Sequence, residues 1–184
     1  IHELVDQACF AETAGFDGIW LTEHNFTGES VYCDPIPFAS VVAARTSRIR
    51  LGTVVSLRAN LDPLRVAEDY ATVDAISNGR VELSVGRGIL ADTCEVYGQE
   101  PDESCERFRE NLELLRRLWS ETDVSWSGRF RAPLDRVTVE PRPVQAPHPP
   151  IWVGSGSSPV SVDLAVDLGL PLMLPSVLAR PAEF

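Results

Sequence analysis

Hydrophobic residues recur along this chain with two different spacings. A helical spacing, together with residues that begin or end helices, predicts helices at 1–14, 35–45, 63–77 and 160–168, and another after a cap at Asp102. Short runs rich in β-branched residues predict strands at 18–22, 49–56, 81–85, 151–154 and 171–174. This alternation indicates right-handed βα units built on a parallel sheet.

The pattern changes between residues 121 and 150. Trp126 to Phe130 is typical of a short strand or hairpin, and residues 141–150 contain five prolines, which predicts an extended connector. Because a strand follows directly at Ile151, we interpret 1–184 as one domain.

Two closures of a parallel sheet are possible, an open doubly wound sheet or a (β/α)8 barrel. No GxGxxG motif follows the first strand, which disfavours a dinucleotide-binding fold. A full barrel needs about 250 residues, whereas this chain offers about five core strands and starts on a helix. We therefore expect a partial (β/α)8 barrel that lacks its first strand and its last two units.

The same pattern assigns side chains to faces. Core positions are predicted for Trp20, Trp119 and Trp152. In the helix predicted after Asp102, the inner face is formed by Phe108, Leu112, Leu115 and Trp119. On the outer face of that helix, ion pairs are predicted for Glu103–Arg107 and Glu113–Arg117.

Composition removes several classes of function. The formal net charge of −11 opposes binding to nucleic acid or to an anionic membrane surface, and no apolar run is long enough to span a bilayer. The four cysteines fit neither a disulfide framework nor a CxxC metal site, so we expect free thiols in the cytoplasm. Three scattered histidines, with no HxH pair, disfavour a metal site.

Candidate chemistry lies where predicted strands end, because barrel enzymes place their sites there. Gly86-Arg87-Gly88 and the loop 154–158 combine small residues, hydroxyls and an arginine, a set that suits a phosphate group. The alternatives are a tight turn with a surface arginine and a serine run that caps a helix. Glu23-His24 follows the first strand, and His24 is equally consistent with proton transfer and with a structural role. Tyr97-Gly98 lies in a long loop that is a candidate lid.

Five segments in order resemble the bacterial luciferase-like monooxygenase family. They are GFDGIWLTEHNFT (15–27), RTSRIRLGTVVS (45–56), DPLRVAEDYATVDAISNGRVELSVGRG (62–88), ERFRENLELLRRLW (106–119) with WSGRF (126–130), and PPIWVGSGSSPVSVDLAVDLGLP (149–171). The resemblance implies a (β/α)8 barrel that usually forms a homodimer and binds a flavin.

The resemblance also assigns roles to individual residues. It places His24 beside the flavin ring, Arg87 on the FMN phosphate, and Val54 and Val55 against the ring, where the family often has a non-proline cis peptide bond. The remaining phosphate-binding positions that it implies are Ser157, Ser158 and Ser161, with Gly86 standing where luciferase itself carries a cysteine.

The resemblance further implies an oxidoreductase of the flavin-dependent monooxygenase type. Reduced FMN would come from a separate flavin reductase and react with O2 on a small or medium apolar substrate. Asn25 and Asp62 replace two frequent histidines of the family, so light emission is not implied. The alternatives are an F420-dependent hydride-transfer oxidoreductase on the same barrel and a non-catalytic flavin-binding partner subunit.

Overall fold

The computed structural model describes residues 1–28, 31–56, 61–87, 91–156 and 158–174. Its helices are α1 (His2–Thr13), α2 (Pro35–Arg45), α3 (Pro63–Ser77), α4 (Ala91–Val96), α5 (Ser104–Ser120) and α6 (Pro159–Leu168). Its strands are β1 (Gly18–Leu21), β2 (Arg50–Ser56), β3 (Val81–Val85), β4 (Val124–Trp126), β5 (Leu134–Val137), β6 (Ile151–Gly154) and β7 (Leu172–Met173). The predicted strands and helices are confirmed to within a few residues.

Within the described residues, five strands form one parallel sheet in the order β1-β2-β3-β6-β7. Neighbours in the sheet follow one another along the chain, apart from the antiparallel hairpin of β4 and β5, which is inserted between β3 and β6. The hairpin confirms the prediction of a strand near Trp126, although its strands lie at 124–126 and 134–137. This is the architecture of part of a (β/α)8 barrel.

The helices cover one face of the sheet and form the core with it. Leu83 and Val85 of β3, Tyr70 of α3 and Trp119 of α5 are each at most 1% exposed. The indole Nε1 of Trp119 donates to the carbonyl of Ala67 at 3.0 Å, which ties α5 to α3. The predicted core position of Trp119 is therefore confirmed.

The opposite face of the sheet carries a different set of side chains. Trp20 is paired in register with Gly52, whose missing side chain leaves room for the indole ring, and Gly52 is paired with Glu82. Glu82 accepts hydrogen bonds from Arg50 and from the indole Nε1 of Trp152. Trp20 is 40% exposed and meets Trp152 edge-on at 6.4 Å, so the prediction that Trp20 is a core residue is wrong. Trp152 is half-buried and does not belong to the buried core either. Successive strand residues point to opposite faces, and Trp20 points to the face that lies inside a closed barrel.

The start of α5 also differs from the prediction. Asp102 lies in a 3₁₀ turn over Pro101–Glu103, and Glu103 occupies the N-cap without a side-chain hydrogen bond. The predicted Glu103–Arg107 ion pair is present at 3.1 Å, but Arg117 pairs with Glu121 instead of Glu113. The short helix α4 was not predicted.

Two buried polar side chains fasten the connections between elements. The guanidinium of Arg80 donates to the carbonyls of Ala43 and Ile49, both at 2.8 Å. These bonds hold the C-terminal end of α2 next to the start of β2. Asp74 on α3 accepts from the backbone N–H groups of Val144 and Gln145, at 2.8 and 3.0 Å. That contact docks the proline-rich connector and sets the entry of the chain into β6.

The cysteines Cys9, Cys33, Cys94 and Cys105 are free thiols, as predicted. In the described part of the chain, no helix combines the length and the apolar character that a membrane crossing requires.

Candidate active site

The candidate site lies at one rim of the sheet, where the carboxyl ends of the parallel strands meet. Glu23, His24 and Asn25 follow β1, Ser56 ends β2, and Arg87 follows β3. The serine-rich loop that follows β6 adjoins the same rim. The sequence-predicted residues described by the structure are therefore brought to a single edge.

Arg87, which follows β3, contacts the starts of two helices, α5 and α6. Its Nη2 donates to Ser158 Oγ at 2.9 Å, and its Nη1 lies 2.8 Å from Cys105 Sγ at the start of α5. The side chain is half-buried. The alternative of a surface arginine in a tight turn does not describe this geometry. Cys105 was missed by the sequence reasoning, which offered no signal beyond its place in the first turn of a predicted helix.

Two serines near Arg87, Ser158 and Ser161, lie at the start of α6. Ser158 is the N-cap of α6, yet its side chain makes no capping hydrogen bond, because its hydroxyl faces Arg87. Ser161 is 5% exposed, and its backbone N–H donates to the Ser158 carbonyl at 3.1 Å. Ser157 and Gly88 lie outside the described residues. The predicted approach of the serine loop to Arg87 is confirmed for Ser158.

Val55 packs across the ends of the two neighbouring strands. A Cβ atom placed on Gly86 would lie 2.5 Å from Val55 Cγ2, and one placed on Gly154 would also collide with the Val55 side chain. The peptide bond between Val54 and Val55 is cis, as the resemblance implied. Three strand ends thus form a small apolar surface beside Arg87 that depends on glycine at two positions.

A buried polar network lies at the ends of β1 and β2. The carboxylate of Glu23 accepts from Asn25 Nδ2 at 3.0 Å and from Ser56 Oγ at 3.1 Å. Tyr97 donates through its hydroxyl to Asn25 Oδ1 at 3.4 Å, so the loop proposed as a lid reaches the end of β1. The side chain of His24 is exposed between these buried neighbours. Asn25 therefore has a definite structural partner on each side at the position where the family often has a histidine.

A cleft of about 420 Å³ adjoins Arg87 on the side of α5 and α6. Its walls are the N-terminal half of α5, the first turn of α6 and the loop 126–130, and we call it the α5–α6 cleft. Phe130 in its wall is covered by the guanidinium of Arg107 at 4.4 Å from the ring centre.

The described residues also bear on metal binding. Within these ranges, histidine, cysteine, aspartate and glutamate side chains form no group of three that could hold a metal ion.

Comparison with known proteins extends the resemblance. A model of the luciferase-like monooxygenase family matches residues 1–184. The solved structure of monooxygenase RslO1 from Streptomyces bottropensis has a TM-score of 0.89 and 37% identity, over 99% of this chain and 55% of that one.

Two curated relatives show how the family varies. The oxygenase component of flavin-dependent trigonelline monooxygenase from Acinetobacter baylyi is 30% identical over 169 residues, or 91% of this chain and 46% of the relative. The F420-dependent glucose-6-phosphate dehydrogenase of Amycolatopsis mediterranei is 32% identical over 169 residues, or 87% of this chain and 49% of the relative. The chain spans about half the length of these curated relatives. It belongs to the luciferase-like monooxygenase family.

Proposed function

We propose that this chain forms the cofactor-binding part of a flavin-dependent monooxygenase that uses reduced FMN and O2. The contact between Arg87 and Ser158 carries the proposal, because it places a cationic fork and a hydroxyl together at adjacent strand ends. The guanidinium of an arginine can donate two parallel hydrogen bonds to the oxygens of one phosphate. The free N–H groups at the N-terminus of a helix add further donors. Ser157 and Ser161 are the proposed additional phosphate positions.

The surface beside Arg87 fits the rest of a flavin. Val54 and Val55 would lie against the planar ring, and the absence of side chains at Gly86 and Gly154 gives Val55 its position. When bound, reduced FMN would supply the electrons for activating oxygen. The apolar valines would help to exclude water from the reacting atoms.

His24 is the proposed proton-handling residue. It is exposed at the rim, and its flanking residues Glu23 and Asn25 are buried and hydrogen bonded to each other, which fixes the backbone on both sides. A histidine at this place can donate a proton to, or accept one from, a substrate oxygen near neutral pH. Arg87 and the serines bind and orient without taking part in proton transfer.

The proposal includes the cellular setting. The similarity to an oxygenase component supports a separate flavin reductase as a partner, and the family resemblance supports a homodimer. Free cysteines favour the cytoplasm. The proposed substrate is a small or medium apolar organic molecule, since the rim offers Arg87 to the phosphate and no second charged cluster was predicted from the sequence.

An F420-dependent hydride-transfer oxidoreductase is the second candidate, favoured by the 32% identity to such a dehydrogenase. The experiment that separates the two titrates the full-length protein with reduced FMN and with reduced F420, and then assays substrate turnover with and without O2. We expect saturable FMN binding and turnover that requires O2. Binding of F420 alone, with turnover in the absence of O2, would contradict the proposal.

A further inference from the structure

The thiol of Cys105 is the contact that α5 gives to Arg87. Its Sγ lies 2.8 Å from Arg87 Nη1, and Ser158 Oγ lies 2.9 Å from Nη2, so each terminal nitrogen of the guanidinium meets one of these neighbours. Cys105 belongs to the first turn of α5, and Ser158 is the N-cap of α6. The direction of the guanidinium therefore depends on the starts of two helices.

The start of α5 is held firmly, and the thiol with it. Arg129, in the loop that follows β4, binds the carboxylates of Glu103 and Glu106, which flank Cys105 along the chain. One turn further, the carboxylate of Glu110 accepts from the backbone N–H of Arg129 at 2.8 Å. These contacts fix the position from which Cys105 reaches Arg87.

The chemical nature of the thiol matters for binding an anion at Arg87. Other arginines of this chain pair with carboxylates, as Arg107 does with Glu103 at 3.1 Å. A carboxylate bound to a guanidinium competes with a phosphate for the same N–H groups and opposes the charge that attracts it. A thiol is only a weak hydrogen-bond acceptor. It can orient the guanidinium and still give way to a phosphate, whose charge-assisted hydrogen bonds are stronger.

We infer that Cys105 is a positioning residue of the proposed phosphate site, where its thiol orients the Arg87 guanidinium without neutralising it. This inference rests on the proposed phosphate site and adds a residue of α5 to it. An acid at position 105 should therefore cost more phosphate affinity than the loss of the thiol alone.

The test is a series of substitutions in the full-length protein, Cys105→Ser, Cys105→Ala and Cys105→Asp. Dissociation constants of reduced FMN and reduced riboflavin are measured without O2. Because riboflavin lacks the phosphate, the ratio of the two constants reports phosphate recognition separately from binding of the ring. Thermal unfolding checks the fold of each variant, which we expect Cys105→Asp to keep, since an acid is favourable in the first turn of a helix.

Two control variants match these changes. Ser104→Asp adds the same charge to the first turn of α5, about 100° away around the helix. Cys9→Ala removes another half-buried thiol, on α1. Both should leave the ratio of FMN to riboflavin affinity within about twofold of the unmodified protein.

We expect a graded loss of FMN affinity at position 105. A hydroxyl also accepts a hydrogen bond, so Cys105→Ser should stay within about twofold of the unmodified protein. Cys105→Ala should weaken FMN binding by about threefold, the effect of one modest hydrogen bond. Cys105→Asp should weaken it by about tenfold or more, because the carboxylate pairs with the guanidinium. Riboflavin affinity should stay the same throughout, and Cys105→Ala should have no further effect in an Arg87→Ala background.

The outcomes separate this inference from the proposed function. If the unmodified protein prefers FMN to riboflavin, and Cys105→Ala and Cys105→Asp leave that preference unchanged, the inference is wrong while the phosphate site stands. A loss that Ser104→Asp reproduces in full would also overturn the inference, because it would not depend on the contact with Arg87. If the unmodified protein binds FMN no more tightly than riboflavin, the proposed phosphate site itself fails.

Discussion

Arg87 shows how the meaning of one residue depends on its neighbours in space. In the sequence it is an arginine between two glycines, which a surface turn would also explain. In the fold, its guanidinium lies between Ser158 at the start of α6 and Cys105 at the start of α5. Both contacts come from elements distant in sequence, so only the fold could pair them.

Removing this guanidinium should weaken phosphate recognition specifically. A charge-assisted hydrogen bond contributes about 1.5–3 kcal/mol, so Arg87→Ala should raise the dissociation constant for FMN by about 10- to 150-fold. Riboflavin affinity should stay the same, and exposed Arg65→Ala should change neither. Calorimetric titration with both flavins measures this. An equal loss for FMN and riboflavin would show that Arg87 supports the fold and does not recognise phosphate.

Mutation of His24 separates a role in proton transfer from a structural role. If it handles protons, His24→Ala should lower kcat by roughly 10²- to 10⁴-fold while FMN affinity and thermal stability stay close to those of the unmodified protein. His2→Ala on α1 is the control. Steady-state turnover with a reductase supplying FMN gives the answer, and an unchanged kcat would remove His24 from the catalytic machinery.

At the scale of elements, the buried polar residues were the least predictable. Arg80 and Asp74 follow no motif, yet each fastens a connection that sets the position of a strand. Burial lowers the pKa of Arg80 from its ordinary value. Hydrophobic spacing locates core faces, but it cannot show which polar side chain accepts the backbone groups left over at a helix end.

Arg80→Met should destabilise the protein by about 2–4 kcal/mol, because it leaves the carbonyls at the end of α2 and beside β2 buried without their donor. Urea unfolding measures the change. Arg45→Met, a nearby arginine whose side chain is 59% exposed, should cost less than about 1 kcal/mol. Equal effects of the two substitutions would contradict the role given to Arg80.

Through Glu12, which joins α1 to the start of β2, the stability of the fold depends on pH. The Glu12 carboxylate accepts from the backbone N–H groups of Ile49 and Arg48, both at 2.7 Å, and of Ser47. The hydrogen bond from Ile49, followed by those from Arg48 and Ser47, lowers the pKa of Glu12 from 4.5 to about 2 against the opposing effect of burial.

A depressed pKa in the folded state means that the stabilisation is complete above pH 4.5 and is lost as the pH falls towards 2. Glu12→Gln should therefore lower the melting temperature at pH 6 and make no difference near pH 2. Melting curves of both proteins across this range test it, with exposed Glu3→Gln as the control. A difference that persists unchanged at pH 2 would mean that the carboxylate charge is not responsible.

At the scale of the whole molecule, the proposed phosphate site predicts linkage between anion binding and stability. A ligand that binds only the folded state at a hundred times its dissociation constant adds about 2.7 kcal/mol. FMN, and inorganic phosphate at higher concentration, should raise the melting temperature of the full-length protein, and Arg87→Ala should abolish the effect of phosphate. Thermal unfolding with sodium chloride at equal ionic strength is the control. A phosphate effect that survives in Arg87→Ala would place the anion elsewhere.

The secondary structure, the barrel class and the rim of the site could be determined from the sequence, because they depend on the spacing of residues that are close together along the chain. The repeat of hydrophobic residues set the kind and order of the strands and helices, which predicted a parallel barrel, and strand ends marked Arg87, the serine loop and Glu23-His24 as one rim. The tertiary structure decided what depends on contacts between distant segments: the pairing of Arg87 with Cys105 and Ser158, the packing of Val55 over two glycines, and the meeting of α5, α6 and the loop 126–130 around the α5–α6 cleft. It also decided the face to which Trp20 points, because a tryptophan is equally apolar on either side of a strand and only the surrounding elements determine which side is covered.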